Sequence, residues 1–163
     1  MTGGGGHLAQ INIGRLVAPV DHPRVAAFMA ALDRVNAIAD RSPGFVWRLK
    51  GEGNNATDLP LSDDDPRFIS NMSVWTDIAA LEAFVWKSVH RAFYARRAAW
   101  FEVLGRPHFV MWPVPEGHIP TIAEGLARLA DHEANGDSER GFGWAGAPGA
   151  RLWRSRACAA PAA

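Results

Sequence analysis

Four short β-rich runs, separated by two helical stretches and one long polar loop, limit the folds open to this chain more than any other feature. The runs are Leu8-Ala9-Gln10-Ile11-Asn12-Ile13, Phe45-Val46-Trp47-Arg48-Leu49, residues 67–76, and His108-Phe109-Val110-Met111-Trp112. Each alternates, or is rich enough in branched and aromatic residues, to read as a strand. After the first run, Asp21-His22-Pro23 opens a helix in which Val25, Phe28, Met29, Leu32, Val35 and Ala39 recur at helical spacing. Ser42-Pro43-Gly44 ends it. Residues 51–66 are rich in Asn and Asp and form a long loop, a kind of segment that often serves as a lid or binding element. Thr76 or Asp77 caps a second helical region that runs to about Leu104, with a break near Lys87-Ser88. Beyond the fourth run, residues 121–134 predict a last helix, stopped by Asn135-Gly136.

The order β-α-β-β-α-β plus a terminal helix is the ferredoxin-like split arrangement, an α+β fold in which two helices cover one face of a four-stranded antiparallel sheet. With 163 residues there is room for one domain. Its expected limits are residues 7–142, after a glycine-rich flexible leader at 1–6 and before a Gly/Ala/Pro/Arg-rich tail at 143–163 that is flexible or loosely docked.

Strand parity then sorts side chains by face. One set, Ile11, Ile13, Val46, Met72, Val74, Phe109 and Met111, suits helix packing. The complementary set is Gln10, Asn12, Trp47, Asn71, Ser73, Trp75, His108 and Trp112. On this reading the second set faces an uncovered side of the sheet, which a second copy of the chain closes into a barrel. The expectation is a homodimer with a cavity lined in part by Ser73, in which indoles 47, 75 and 112 stack a ligand while Asn12, Asn71 and Arg97 fix its oxygens. The competing reading has the indoles filling the dimer core, with no ligand.

Charge and composition remove several classes. Lys and Arg number 17 and so do Asp and Glu, leaving no basic footprint for nucleic acid. No run approaches the length of a membrane helix or has the build of a signal peptide. The single Cys158 leaves no disulfide framework and no cysteine metal knuckle, in keeping with a cytoplasmic location. His7, His22, His118 and His132 lack the close spacing of metal motifs, and Asp63-Asp64-Asp65 reads as a solvated turn, so no metal site is expected.

Val74-Trp75, then Leu81, Phe84-Val85-Trp86, Ser88, His90, Arg97, Trp100-Phe101, Trp112, the Pro115-Glu116-Gly117-His118 turn and Pro120-Thr121 carry a resemblance. Over roughly residues 7–142 the chain resembles an uncharacterised bacterial domain-of-unknown-function family of the dimeric α/β-barrel superfamily, similar in fold to antibiotic biosynthesis monooxygenases. Trp86 departs from the tyrosine more usual at its place. The resemblance implies a dimer with a cavity in each protomer. The superfamily spans cofactor-free oxygenases, haem proteins and isomerases, so it does not select the chemistry. Asn12, Asn71, Trp75 and Arg97 are the kinds of residue that hold a phenolic substrate in the monooxygenase relatives.

His90 shares a helical stripe with Tyr94, Arg97 and Phe101. Beside the Arg97 charge it is a candidate general base, with Arg97 as partner to a phenolate or carboxylate. Its bland alternative is a half-buried histidine bonded to Ser88 or to a backbone carbonyl. His108 lines the cavity mouth on the parity reading. His118 is expected to bond backbone in its turn. Gly141-Phe142-Gly143-Trp144 folds over a cavity mouth or docks on a partner. The leading function is binding, with cofactor-free oxygenation or isomerisation, of a small aromatic or polyketide-like molecule. A haem-binding protein, with His90 or His108 as axial ligand, and a non-catalytic dimeric module stand as alternatives.

Overall fold

A computed structural model describes residues 6–59, 61–87 and 90–150. Four strands, β1 (Gly6–Arg15), β2 (Phe45–Arg48), β3 (Phe68–Trp75) and β4 (Phe109–Pro115), form one antiparallel sheet in the order β2-β3-β1-β4. The helices are α1 (Ala26–Arg41), α2 (Ile78–Lys87), α3 (His90–Ala95), α4 (Arg97–Trp100) and α5 (Ile122–Asn135). This is the expected ferredoxin-like order with its extra C-terminal helix. Among the described residues no helix is long and apolar enough to cross a membrane.

Local chemistry explains the boundaries. The His22 ring accepts from the Arg24 N–H and starts a 3-10 turn at Pro23–Val25 that leads into α1. Gly44, at φ +83°, turns the chain into β2 where a Cβ would strike Ala80 of α2. Asp77 accepts from the Ala80 N–H and caps α2, while the Thr121 hydroxyl accepts from the Glu124 N–H and caps α5. Arg48 is nearly buried. It forms a two-pronged pair with Asp40 of α1 and donates to both the backbone oxygen and the side-chain oxygen of Asn54, stitching the long loop to the helix.

The register places side chains differently from the parity expectation. In the two central ladders Gln10 lies opposite Ser73 and Met111, Ile11 opposite Met72 and Val110, Asn12 opposite Asn71 and Phe109. Helices α1 to α4 cover the Gln10 face, where Leu8, Trp75 and Met111 pack with Val35, Leu81 and Phe84. The Ile11 face is not open. Helix α5 lays Leu126 and Leu129 against Ile11, Met72, Val74, Val110 and Trp112, joined by Leu49 and Leu61 from the long loop. Gly125 lets the α5 backbone come down on Ile11 and Met72. Both faces are therefore covered within one chain, and the argument from an uncovered face to a second copy does not hold.

Two further corrections follow from register. β4 runs in the opposite phase, so Phe109 and Met111 share the Gln10 face while Trp112 lies beneath α5. It also continues through Pro113 to Pro115, which an edge position tolerates. In β2 the register shifts between Phe45 and Trp47, so Phe45 opposes Trp75, Trp47 opposes Val74, and Val46 is exposed.

Candidate functional site

On the helix-covered face, two apolar clusters are separated by a polar belt. One end is closed by Trp75, Leu81 and Phe84, the other by Phe28, Leu32, Ile69 and Trp100. Between them lie Gln10 and Asn12 of β1 and Asn71 and Ser73 of β3. On α1 the matching interruption is Asn36, buried between Leu32 of one cluster and Ala39 of the other. Gln10 Nε2 donates to Asn71 Oδ1 and to Ser73 Oγ, each at 2.8 Å. Trp75 Nε1 donates to the same Ser73 Oγ at 2.9 Å. Buried polar groups persist when they satisfy one another, and this string does so.

The belt is not fully shut. Gln10, Ser73 and Trp75 are 5%, 7% and 1% exposed. Asn71, in the same patch, is exposed, and Asn12 opposite it is half-buried. The helical layer therefore does not seal this asparagine pair. Gln10 donates to the Asn71 carbonyl oxygen, which leaves the Asn71 amide NH2 without a side-chain partner among the described residues. The Asn12 amide makes no side-chain hydrogen bond among the described residues.

A chain of ring contacts runs on from Asn12 through its ladder neighbour. Phe109 stands beside Asn12 in the ladder. Trp144 stacks on Phe109 at 5.7 Å and meets Trp86 edge-on at 6.0 Å, and Trp86 meets Tyr94 at 5.6 Å. Arg97 lies 4.0 Å above the Tyr94 ring, donates to the Tyr94 backbone oxygen at 3.2 Å, and makes no ion pair among the described residues. His108 precedes β4 rather than starting it. It reaches the surface, but the protein packed along its ring, and next the nearby Arg97 charge, push its imidazole below the ordinary histidine value. The set thus combines amide donors, aromatic faces, one cation and a neutral imidazole.

Of the residues singled out from the sequence, Asn12, Asn71, Ser73 and Trp75 share the Gln10 face, while Arg97 lies against Tyr94 and close enough to His108 for its charge to be felt there. Trp75 belongs to the core on that face, stacked on Phe84 at 5.2 Å and met edge-on by Phe45. Trp47 and Trp112 do not join them. Trp47 packs on the Ile11 face, and Trp112 is sealed under α5, where its N–H donates to Glu124 at 3.0 Å. The three indoles therefore share no face, because the β2 shift and the β4 phase separate them. His90 opens α3, but its side chain lies outside what the structure describes, as do Ser88, Trp153 and Cys158. Phe109 and Trp86 were not in the expected cavity lining, whereas Trp144 belongs to the segment expected over a cavity mouth or on a partner. Aromatics spaced 23 and 35 residues apart give no local signal of contact.

His118 pairs with the other oxygen of Glu124 at 2.7 Å rather than with backbone. Burial works against ionising Glu124, but hydrogen bonds from His118 and Trp112 outweigh it and hold the carboxyl below its usual range. This trio fastens α5 to β4 on the Ile11 face. Among the described residues no three His, Cys, Asp or Glu side chains gather as a metal site.

Residues 7–158 match the family described as a domain of unknown function, DUF3291. The chain belongs to this family. No curated protein matches. Among solved structures, a protein of unknown function from Nitrosomonas europaea, NE2512, is similar at 16% identity, covering 73% of this chain and 99% of its own, with TM-score 0.47. PA3566 from Pseudomonas aeruginosa is similar at 18% identity over 69% of this chain and 96% of its own, TM-score 0.46. SnoaB, a cofactor-independent oxygenase from Streptomyces nogalater, is similar at 17% identity over 72% of this chain and 97% of its own, TM-score 0.43.

Proposed function

We propose that this protein binds a small, flat, oxygen-bearing aromatic or polyketide-like molecule in the recess between the polar belt and helices α1 to α4. The observation that carries the reading is the exposure of Asn71, where β3 has run past the end of β2, on a helix-covered sheet face whose neighbours Gln10, Ser73 and Trp75 are shut. In this reading the Asn12 and Asn71 amides donate to ligand oxygens, and Phe109, Trp86 and Tyr94 meet its ring faces. Neutral His108 takes the proton of a phenol or an acidic C–H, and Arg97 stabilises the anion left behind. Such proton removal is the step that cofactor-free oxygenation and isomerisation of these substrates share. Every group named comes from one chain, so the homodimer expected from the sequence would be a packing partner and not a builder of the site.

The test uses 2-naphthol as probe and indole fluorescence as readout. Wild-type protein is expected to bind it saturably, with Asn71→Ala and Asn12→Ala each weakening the affinity about three- to tenfold, the worth of one hydrogen bond. Saturable binding of equal strength in both variants contradicts the reading.

A further inference from the structure

Trp144 sits on a segment that leaves α5 through Gly136 and returns along the outer edge of β4. Two fastenings hold that segment. Phe142 and Met111 exchange both backbone hydrogen bonds, each at 2.9 Å. Asp137 Oδ1 accepts from the Gly143 N–H and from His132 Nε2, both at 2.9 Å. The Gly143 hydrogen bond is the main reason the Asp137 carboxyl lies below its usual range. One residue beyond Gly143, the Trp144 ring lies nearly parallel to Phe109, the ladder neighbour of Asn12, at 14°, and abuts Trp86, so it bridges strand β4 to helix α2. The Trp86 indole N–H is sealed from solvent and has no acceptor among the described residues, and a buried donor without a partner is costly.

We propose that Trp144 is the specificity-setting wall of the recess: seated between Phe109 and Trp86 it limits the ligand to a short ring system, and the Asp137 clasp keeps it seated. This rests on the recess being a ligand site. Trp144 is half-buried and its ring is held by the Phe109 and Trp86 contacts, just past the Met111 pairing and the Asp137 clasp, so a longer flat ligand competes with it for the Phe109 face. A shorter ligand leaves it in place.

The experiment compares 2-naphthol with 1-hydroxypyrene by fluorescence titration of the full chain, in wild type, Trp144→Ala, Trp144→Phe, Asp137→Ala and Asn71→Ala. Circular dichroism confirms that each variant is folded. Wild type is expected to favour 2-naphthol. Trp144→Ala should move the ratio of the two affinities toward 1-hydroxypyrene by about tenfold or more, Asp137→Ala in the same direction by less, and Trp144→Phe least. If 2-naphthol binding depends on Asn71 but the ratio is unmoved in Trp144→Ala and Asp137→Ala, the wall assignment is wrong and the recess stands. If neither probe binds wild type saturably, the reading of the recess falls and the wall with it.

Discussion

Substituting Gly125 tests whether α5 really closes the second sheet face. At an exposed helix position Gly→Ala stabilises by roughly 1 kcal/mol, because Ala restricts the unfolded chain and shields the backbone. Gly125 is not exposed. A Cβ there would stand 2.8 Å from Ile11 Cδ1, 3.2 Å from Met72 Sδ and 3.4 Å from Ile11 Cβ. Ile11 and Met72 are 0% and 1% exposed, so their ends have nowhere to retreat and the helix must lift. Overpacking of this kind costs about 1–3 kcal/mol, which cancels or exceeds the propensity gain. We expect Gly125→Ala to be neutral to destabilising by about 2 kcal/mol, and Gly125→Val, with two more methyl groups and poorer helix propensity, to lose about 3 kcal/mol. The assay is urea unfolding followed by circular dichroism, with Ala127→Gly on the exposed side of α5 as the propensity control, expected to lose about 1 kcal/mol. A gain of about 1 kcal/mol in Gly125→Ala, mirroring that control, would show that α5 does not press on the sheet.

Arg48→Met should cost about 2–3 kcal/mol in the same assay, because it strands Asp40 and the Asn54 carbonyl around a side chain only 5% exposed. The Arg48 hydrogen bond leads in holding the Asp40 carboxyl below its usual range, so the contribution is fully present above the unfolded value near 3.9 and fades as pH falls through the folded one. Arg48→Met should flatten that acid limb, and an unchanged limb would contradict the assignment. Trp112→Phe removes one of the donors that hold Glu124 ionised; carboxyl NMR should show the Glu124 midpoint rising, with no movement refuting the contact. The His108 imidazole should titrate below about 6.5, and Arg97→Gln should raise its midpoint by removing a cation. Because the folded state binds that proton less well than the unfolded one, His108 contributes stability above about pH 6.5 that is lost as pH falls below it.

The order of elements was legible because strand alternation, helical spacing, the Asp77 and Thr121 caps and the Gly44 and Gly136 stops are all local. The assignment of faces was not. Both alternating sets are buried, so parity alone does not say which one meets α1 and α2. The deciding clue was α5, whose Ile122, Gly125, Leu126 and Leu129 make an apolar stripe with a glycine at its centre. With one sheet face taken by α1 to α4, that stripe had only the Ile11 face to cover. The Val46 shift and the phase of β4 depend on pairing with distant strands and leave no local mark. At the site, Asn12 and Asn71 stood out as amides amid strand residues. Their neighbourhood with Phe109, Trp86 and Trp144 comes from the sheet order and the return of the C-terminal segment, which no spacing reveals.

The most direct test of the recess watches its two asparagines. In a 15N-labelled sample titrated with 2-naphthol, the side-chain NH2 signals of Asn12 and Asn71, assigned by single substitution, are expected to shift together along one saturating curve. The Nε2 signal of Gln10, whose donors are spent on Asn71 and Ser73, should move less. Saturable binding that leaves both asparagine signals in place, or no saturable shift at all, would contradict the account.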